Sequence, residues 1–296
     1  MDVTVTDLAS TRLCTARIHD QWGSFQEVRR RHLAGVGAER DPAEKVAENI
    51  LCELFTAVLD WTTEQVRLQE HRVDLMLCRG GLRFLVVEVK RPGSFDGRGS
   101  ILRALTQARG YAVELKVDRV AVSDGCVFEA YDLVREGLRP RAVVHLADPE
   151  PAEDLWWIST RGIYRMPPAK VTVPNRDLAD DGVLHPKYGL PARCFAHVGD
   201  PARPGTWKLP YLLADGSVDA KRLPKAIGAV IRDYRMQQVK GLSDEETGRV
   251  LVTLAGAAVR TGRMPHQDPT PAEVYIALLD HLRQIGRAGE VPGLTS

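Results

Sequence analysis

At 296 residues, with 44% hydrophobic and 27% charged side chains, the chain is long enough for an α/β core plus a smaller second unit and too evenly mixed to be disordered or fibrous. Residues 1–150 hold 21 basic and 23 acidic side chains and the remainder 19 and 16, so neither half is a polycation and any grip on nucleic acid must come from local arginines and a metal. No run reaches the ~18 apolar residues of a membrane span, the Met1-Asp2-Val3-Thr4 start does not read as a secretory signal, and Cys14, Cys52, Cys78, Cys126 and Cys194 lack disulfide or zinc spacing. The expectation is a cytoplasmic protein with reduced thiols and no membrane partner, with homo-oligomerisation left open.

In chain order, a helix is expected over 25–33, where Arg29-Arg30-Arg31-His32 reads as a solvated face and phosphate contact is the lesser alternative. A second is capped by Asp41, carries Pro42 in its first turn and repeats Ala47, Ile50, Leu51, Leu54, Phe55 and Val58 at helical spacing to about Leu59. Two strands follow, 73–77 and 82–90, joined by the three-residue turn Arg79-Gly80-Gly81 and ended by Pro92-Gly93. A Gly/Ser-rich loop then leads to a helix over 101–115, a strand over 117–122, the turn Ser123-Asp124-Gly125 and a strand over 126–133. Strand, helix, strand implies a crossover with parallel pairing, so the fold class is α/β, a mixed β-sheet flanked by helices.

Residues 146–204 are crowded with proline and predict irregular structure with a short strand over 156–164. Helices are expected over 219–234, from a capping box at Ser243 to Arg260, and from Thr270-Pro271-Ala272-Glu273 to about Ile285, forming a smaller helical C-terminal domain. The stripe Lys221, Arg222, Lys225, Arg232 and Arg235 suits a solvated face or docking to DNA or a partner.

The chemistry lies in the hairpin. Glu88 and Lys90 are two apart on one strand and project from one face. Asp74 joins them if paired residue numbers sum to an even value, which the odd-length Arg79-Gly80-Gly81 connection permits. Two carboxylates and an ammonium on so apolar a strand suffer desolvation unless they compensate one another or bind a cation. Hard oxygen ligands with a nearby ammonium are what phosphodiester hydrolysis with Mg²⁺ requires. The alternative sets Glu88 and Lys90 on a water-facing edge strand and Asp74 at a strand end. The histidines are dispersed and no Ser or Cys sits in a nucleophile elbow, which argues against zinc or His-based catalysis.

Asp74, Glu88-Val89-Lys90-Arg91-Pro92-Gly93 and Gln107-Ala108-Arg109-Gly110-Tyr111 together resemble the PD-(D/E)xK nuclease superfamily, with most similarity to the N-terminal nuclease domain of type I restriction enzyme motor subunits, over roughly residues 40–135. The resemblance implies a restriction-endonuclease-like core over 1–145, a connecting region over 146–204 and a small helical domain over 205–290. It implies that Asp74, Glu88 and the Val89 carbonyl hold Mg²⁺, with Mn²⁺ as a substitute, and that Lys90 orients water or stabilises the transition state. Gln107 and Tyr111 match the family's Q-x-x-x-Y motif, and either Glu44 or Glu48 supplies the carboxylate of the first helix. Val73 stands where the family often has proline. Arg91, Arg98, Arg103 and Arg109 flank this set and are candidates for substrate phosphates. The function so implied is a Mg²⁺-dependent DNA endonuclease of restriction or antiviral defence, beside a separate motor, sensor or defence partner, since the chain has no Walker motif. The alternatives are a structure-selective repair or recombination nuclease and a non-catalytic DNA-binding module that keeps the fold.

Overall fold

The computed structural model describes residues 9–35, 43–179, 182–236 and 242–294. It falls into two compact units, Met1–Pro174 and Asn175–Ser296. The proline-rich stretch 146–204 is divided between them, its first part with the sheet and its second with the C-terminal helices.

The first unit opens with α1 (Ala9–Ala34) and α2 (Ala43–Glu53), the latter continued by a π-helical turn, Leu54–Val58. The Asp41 cap and Pro42 lie outside the described residues. The extra residue of the π turn, closed by Leu59 N–H on the Leu54 carbonyl at 3.1 Å, leaves Leu54, Phe55, Val58 and Leu59 all buried. Then come β1 (Val66–Glu70), β2 (Val73–Arg79), β3 (Leu82–Val89), α3 (Arg98–Leu115), β4 (Arg119–Ser123), β5 (Val127–Val134), β6 (Gly137–His145) and β7 (Val173–Pro174). The seven strands lie in sequence order, every neighbouring pair antiparallel except β3 and β4, which are parallel across the α3 crossover. This is the expected mixed α/β sheet.

One sheet face, carrying Leu75, Leu77, Leu85, Val87 and Val89, shares a core with Ile18, Trp22 and Phe25 of α1, Ile50 and Leu51 of α2 and Phe55 of the π-helical turn. The complete burial of Ile50, Leu51, Leu54 and Phe55, about 1.5–3 kcal/mol each, makes packing the main anchor of α2. Period-2 alternation sends Met76, Val86, Val120 and Val122 to the other face, where α3 packs on β3 and β4 through Ala104, Leu105, Ala108 and Ala112. The expected strand over 156–164 does not form. Short 3-10 helices, Glu153–Ile158 and Gly162–Tyr164, stand in its place, and the chain folds back so tightly that a Cβ on Gly162 would fall 1.9 Å from the Trp156 carbonyl oxygen.

In the second unit a short hairpin, β8 (Phe195–His197) with β9 (Lys208–Pro210), is followed by α4 (Arg222–Met236), α5 (Asp244–Arg260) and α6 (Glu273–Gln284). Leu223, Ile227, Leu251, Leu254, Leu278 and Leu282 form their common core. The capping box that opens α5 is complete, with Ser243 and Glu246 exchanging backbone-to-side-chain hydrogen bonds. The helix expected to open at Thr270-Pro271-Ala272-Glu273 starts at Glu273, with Ala272 in the cap position. Lys221, Arg222 and Lys225 sit at the start of α4; the side chains of Arg232 and Arg235 lie outside the described residues. Among the described residues no helix is long and apolar enough to cross a membrane.

Candidate functional site

The hairpin that carries the expected site reaches its register by a different device from the one expected. Arg79 pairs with Leu82, so the turn is the two residues Gly80 and Gly81, both left-handed (φ 57° and 79°) as a type I′ turn needs. That turn alone gives pairs with odd sums, which would put Asp74 on the face opposite Glu88. A bulge corrects it. Leu77 pairs with Leu85 but Cys78 with Arg83, leaving Phe84 as the extra residue, and beyond it Leu75 pairs with Val87. Continued by one residue, the register sets Asp74 directly across from Glu88.

The edge-strand alternative is overturned, because β3 lies inside the sheet between β2 and β4 and Glu88 is 3% exposed. Asp74 is half-buried, and its Oδ2 accepts the Val89 N–H at 2.7 Å. Val89, implied as a ligand through its carbonyl, thus also fixes Asp74 through its amide. Lys90 Nζ donates to Glu88 Oε1 and to Gln107 Oε1, the latter at 3.3 Å, and Gln107 Nε2 donates to the Tyr111 hydroxyl at 3.3 Å. An ammonium only donates, so the Gln107 amide must turn its oxygen to Lys90 and its nitrogen to Tyr111. Four of the expected residues therefore form one chain of contacts, Glu88, Lys90, Gln107 and Tyr111, from β3 to α3.

Both helix carboxylates come near. Glu48 is 4% exposed and accepts from Lys45 Nζ at 2.8 Å and from Gln69 Nε2 at 3.4 Å, while Glu44 is exposed. Burial raises the Asp74 carboxyl above its ordinary value, against the pull of the Val89 N–H and Lys90, and the charges of Glu48 and Glu44 add to the rise. Burial likewise pushes Glu88 up to about 6; the Lys90 hydrogen bond opposes this, and Asp74 and Glu44 reinforce it. Negative charge is in surplus here.

Arg91 is exposed beside Lys90, and Arg103 and Arg109 sit on α3, the first exposed and the second half-buried. Arg98 turns to β5, where it donates to Glu129 Oε2 at 2.8 Å and to the Tyr131 hydroxyl at 3.2 Å. Arg29, read from sequence as part of a solvated face, is 6% exposed and donates Nε–H to the Gly125 carbonyl at 2.8 Å, since its position on α1 faces the sheet. Sequence reasoning passed over Lys45 and Gln69. Lys45 sits one helical turn before Glu48, a visible signal. Gln69 has a left-handed backbone (φ 51°) that nothing in its residue type announces.

Among the described residues no three His, Cys, Asp or Glu side chains gather closely enough to hold a metal ion by themselves. Mg²⁺ commonly takes one or two carboxylates and keeps several waters. The donor chemistry of Asp74 and Glu88, hard oxygens whose charge is disfavoured by burial and by other carboxylates, fits a divalent cation. Comparison of the chain with protein-family models, with curated proteins and with solved structures returned no match.

Proposed function

We propose that the first unit is a Mg²⁺-dependent nuclease that hydrolyses DNA phosphodiester bonds. The observation that carries this reading is the Lys90 ammonium, held between Glu88 and Gln107 on the strand that faces Asp74. Asp74 and Glu88 would hold the cation, which supplies phosphate neutralisation and water activation when bound.

The remaining work falls to the chain's own groups. Lys90 places positive charge where the pentacovalent phosphorus gathers negative charge, and its bond to Gln107 keeps the flexible four-carbon stem from wandering. Tyr111 in turn fixes the Gln107 amide. Glu44 and Glu48 add negative charge on the α2 side, which strengthens cation binding at Asp74. Arg91, exposed next to Lys90, is placed to take a substrate phosphate. The resemblance in sequence supports a role in restriction or antiviral defence beside a partner that supplies DNA translocation.

The test is incubation of the purified full chain with supercoiled, linear and single-stranded DNA and with RNA, in Mg²⁺, Mn²⁺ and EDTA. Cutting of DNA that needs the cation is expected. Absence of cutting on every substrate, or cutting that persists in EDTA, would overturn the reading.

A further inference from the structure

The turn Ser123-Asp124-Gly125 contributes no residue to the set above, yet it touches the elements that carry that set. The Ser123 carbonyl accepts the Lys90 N–H at 2.8 Å. Asp124, 2% exposed, uses both carboxylate oxygens. Oδ1 accepts the N–H groups of Cys126 and Val127, each at 2.9 Å, and so closes its own turn. Oδ2 accepts the N–H groups of Gly93 at 3.1 Å and Phe95 at 3.4 Å, in the loop between Lys90 and α3. Gly125 has φ +76°, and a Cβ there would come within 3.1 Å of Ile50 Cδ1 and 3.4 Å of Ala47 Cα, residues on either side of Glu48.

A turn aspartate with a purely local task needs only its first oxygen. The second reaches back 31 residues to the segment that links Lys90 with the helix bearing Gln107. We propose that Asp124 is a positioning residue that clamps this loop, so that the Lys90 ammonium stays aimed between Glu88 and Gln107. The inference rests on the nuclease reading and extends it to a residue that touches neither cation nor substrate. A buried carboxylate is kept here because one rigid anchor then sets both ends of the Lys90 to Gln107 contact.

The test is Asp124→Ser in the full chain. A serine hydroxyl still accepts from N–H groups two and three residues on, preserving the β4–β5 turn, but is too short to reach Gly93 and Phe95. The expected result is a small fall in Tm, as two N–H groups lose their acceptor, faster amide exchange confined to Gly93 and Phe95 with Cys126 and Val127 unaffected, and kcat for DNA cleavage lowered about 10- to 100-fold at unchanged KM. Should the serine variant fail to fold, Asp124→Asn, which keeps one accepting oxygen, takes its place. Slow exchange at Gly93 and Phe95 in the variant, or kcat equal to that of a wild-type chain that cuts, overturns the positioning role and leaves the nuclease reading intact. A general loss of protection with a large fall in Tm overturns it too, as a merely structural residue would behave so. A wild-type chain that cuts nothing removes the nuclease reading, and this role with it.

Discussion

Two groups of buried charge sit on the same sheet and are balanced in opposite senses. Across β4, β5 and β6, Asp132 is surrounded by Arg119, Arg139 and Arg141, with Arg141 fully buried, 2.8 Å from the carboxylate, and also donating to the Trp157 carbonyl at 3.0 Å. Across β2 and β3, Asp74 and Glu88 share one ammonium, and two further carboxylates on α2 lie within electrostatic reach. Burial pulls Arg141 below its usual value, and the adjoining Asp132 resists that. At the first site the folded chain gathers three guanidiniums on one carboxylate, leaving Arg119 Nε and Arg139 Nε buried without a hydrogen-bond acceptor. At the second it leaves a carboxylate rising to about 6, and a divalent cation is the species that would relieve it. The first cluster has positive charge in surplus and the second negative, and on the proposed reading only the second takes a divalent cation.

The largest effect that sharpens this contrast is expected at Asp132. Asp132→Ala strands buried Arg141 without its carboxylate, and denaturant unfolding should register a loss of about 3–5 kcal/mol that no divalent cation restores. An Mg²⁺-dependent rescue would blur the distinction between the two clusters. Lys90→Ala comes next, with Mg²⁺-dependent cleavage reduced about 10²–10³-fold and, because buried Glu88 loses its ammonium, a fall in Tm that is larger at neutral than at acid pH. Full activity in that purified variant would remove Lys90 from the site.

Glu88→Gln should raise stability while abolishing cleavage. The folded-state pKa of Glu88 lies above the ordinary value of 4.5, at about 6, so its contribution to stability is fully present below 4.5 and is lost as pH climbs through 6. The variant escapes that loss. Its advantage should be absent in acid and about 1–2 kcal/mol at neutral pH, and millimolar Mg²⁺ added to the wild type should narrow it. A pH-independent difference would deny Glu88 its raised pKa. Smallest is Arg91→Ala, expected to weaken DNA binding severalfold and to lower the salt dependence by about one phosphate contact; an unaltered salt slope would assign Arg91 to solvent.

The contrast also explains what the sequence could disclose. The hairpin was legible because a nearly unbroken apolar run interrupted by Glu88 and Lys90 is hard to place anywhere but inside a sheet. Parity of the Asp74 and Glu88 pairing was legible as a requirement, but not its origin, since a two-residue turn plus a bulge at Phe84 gives the same result as a three-residue loop. β1 escaped notice because Val66-Arg67-Leu68-Gln69-Glu70 is a largely exposed edge, and the turn after it uses left-handed His71 and Arg72 in place of glycine. Most of α1 was equally silent, burying Cys14, Ile18, Trp22 and Phe25 at about one residue per turn. Trp156, Trp157 and Ile158 imitate a strand in composition, and only tertiary packing folds them into a 3-10 turn.

Binding of Mn²⁺ followed by electron paramagnetic resonance, on wild type, Asp74→Asn and Asp132→Asn in parallel, decides whether the Asp74 and Glu88 carboxylates hold a divalent cation. A Mn²⁺ site is expected in the wild type and in folded Asp132→Asn protein, and its loss in Asp74→Asn. Equal Mn²⁺ binding by Asp74→Asn and wild type, or no binding by any of the three, would contradict that expectation.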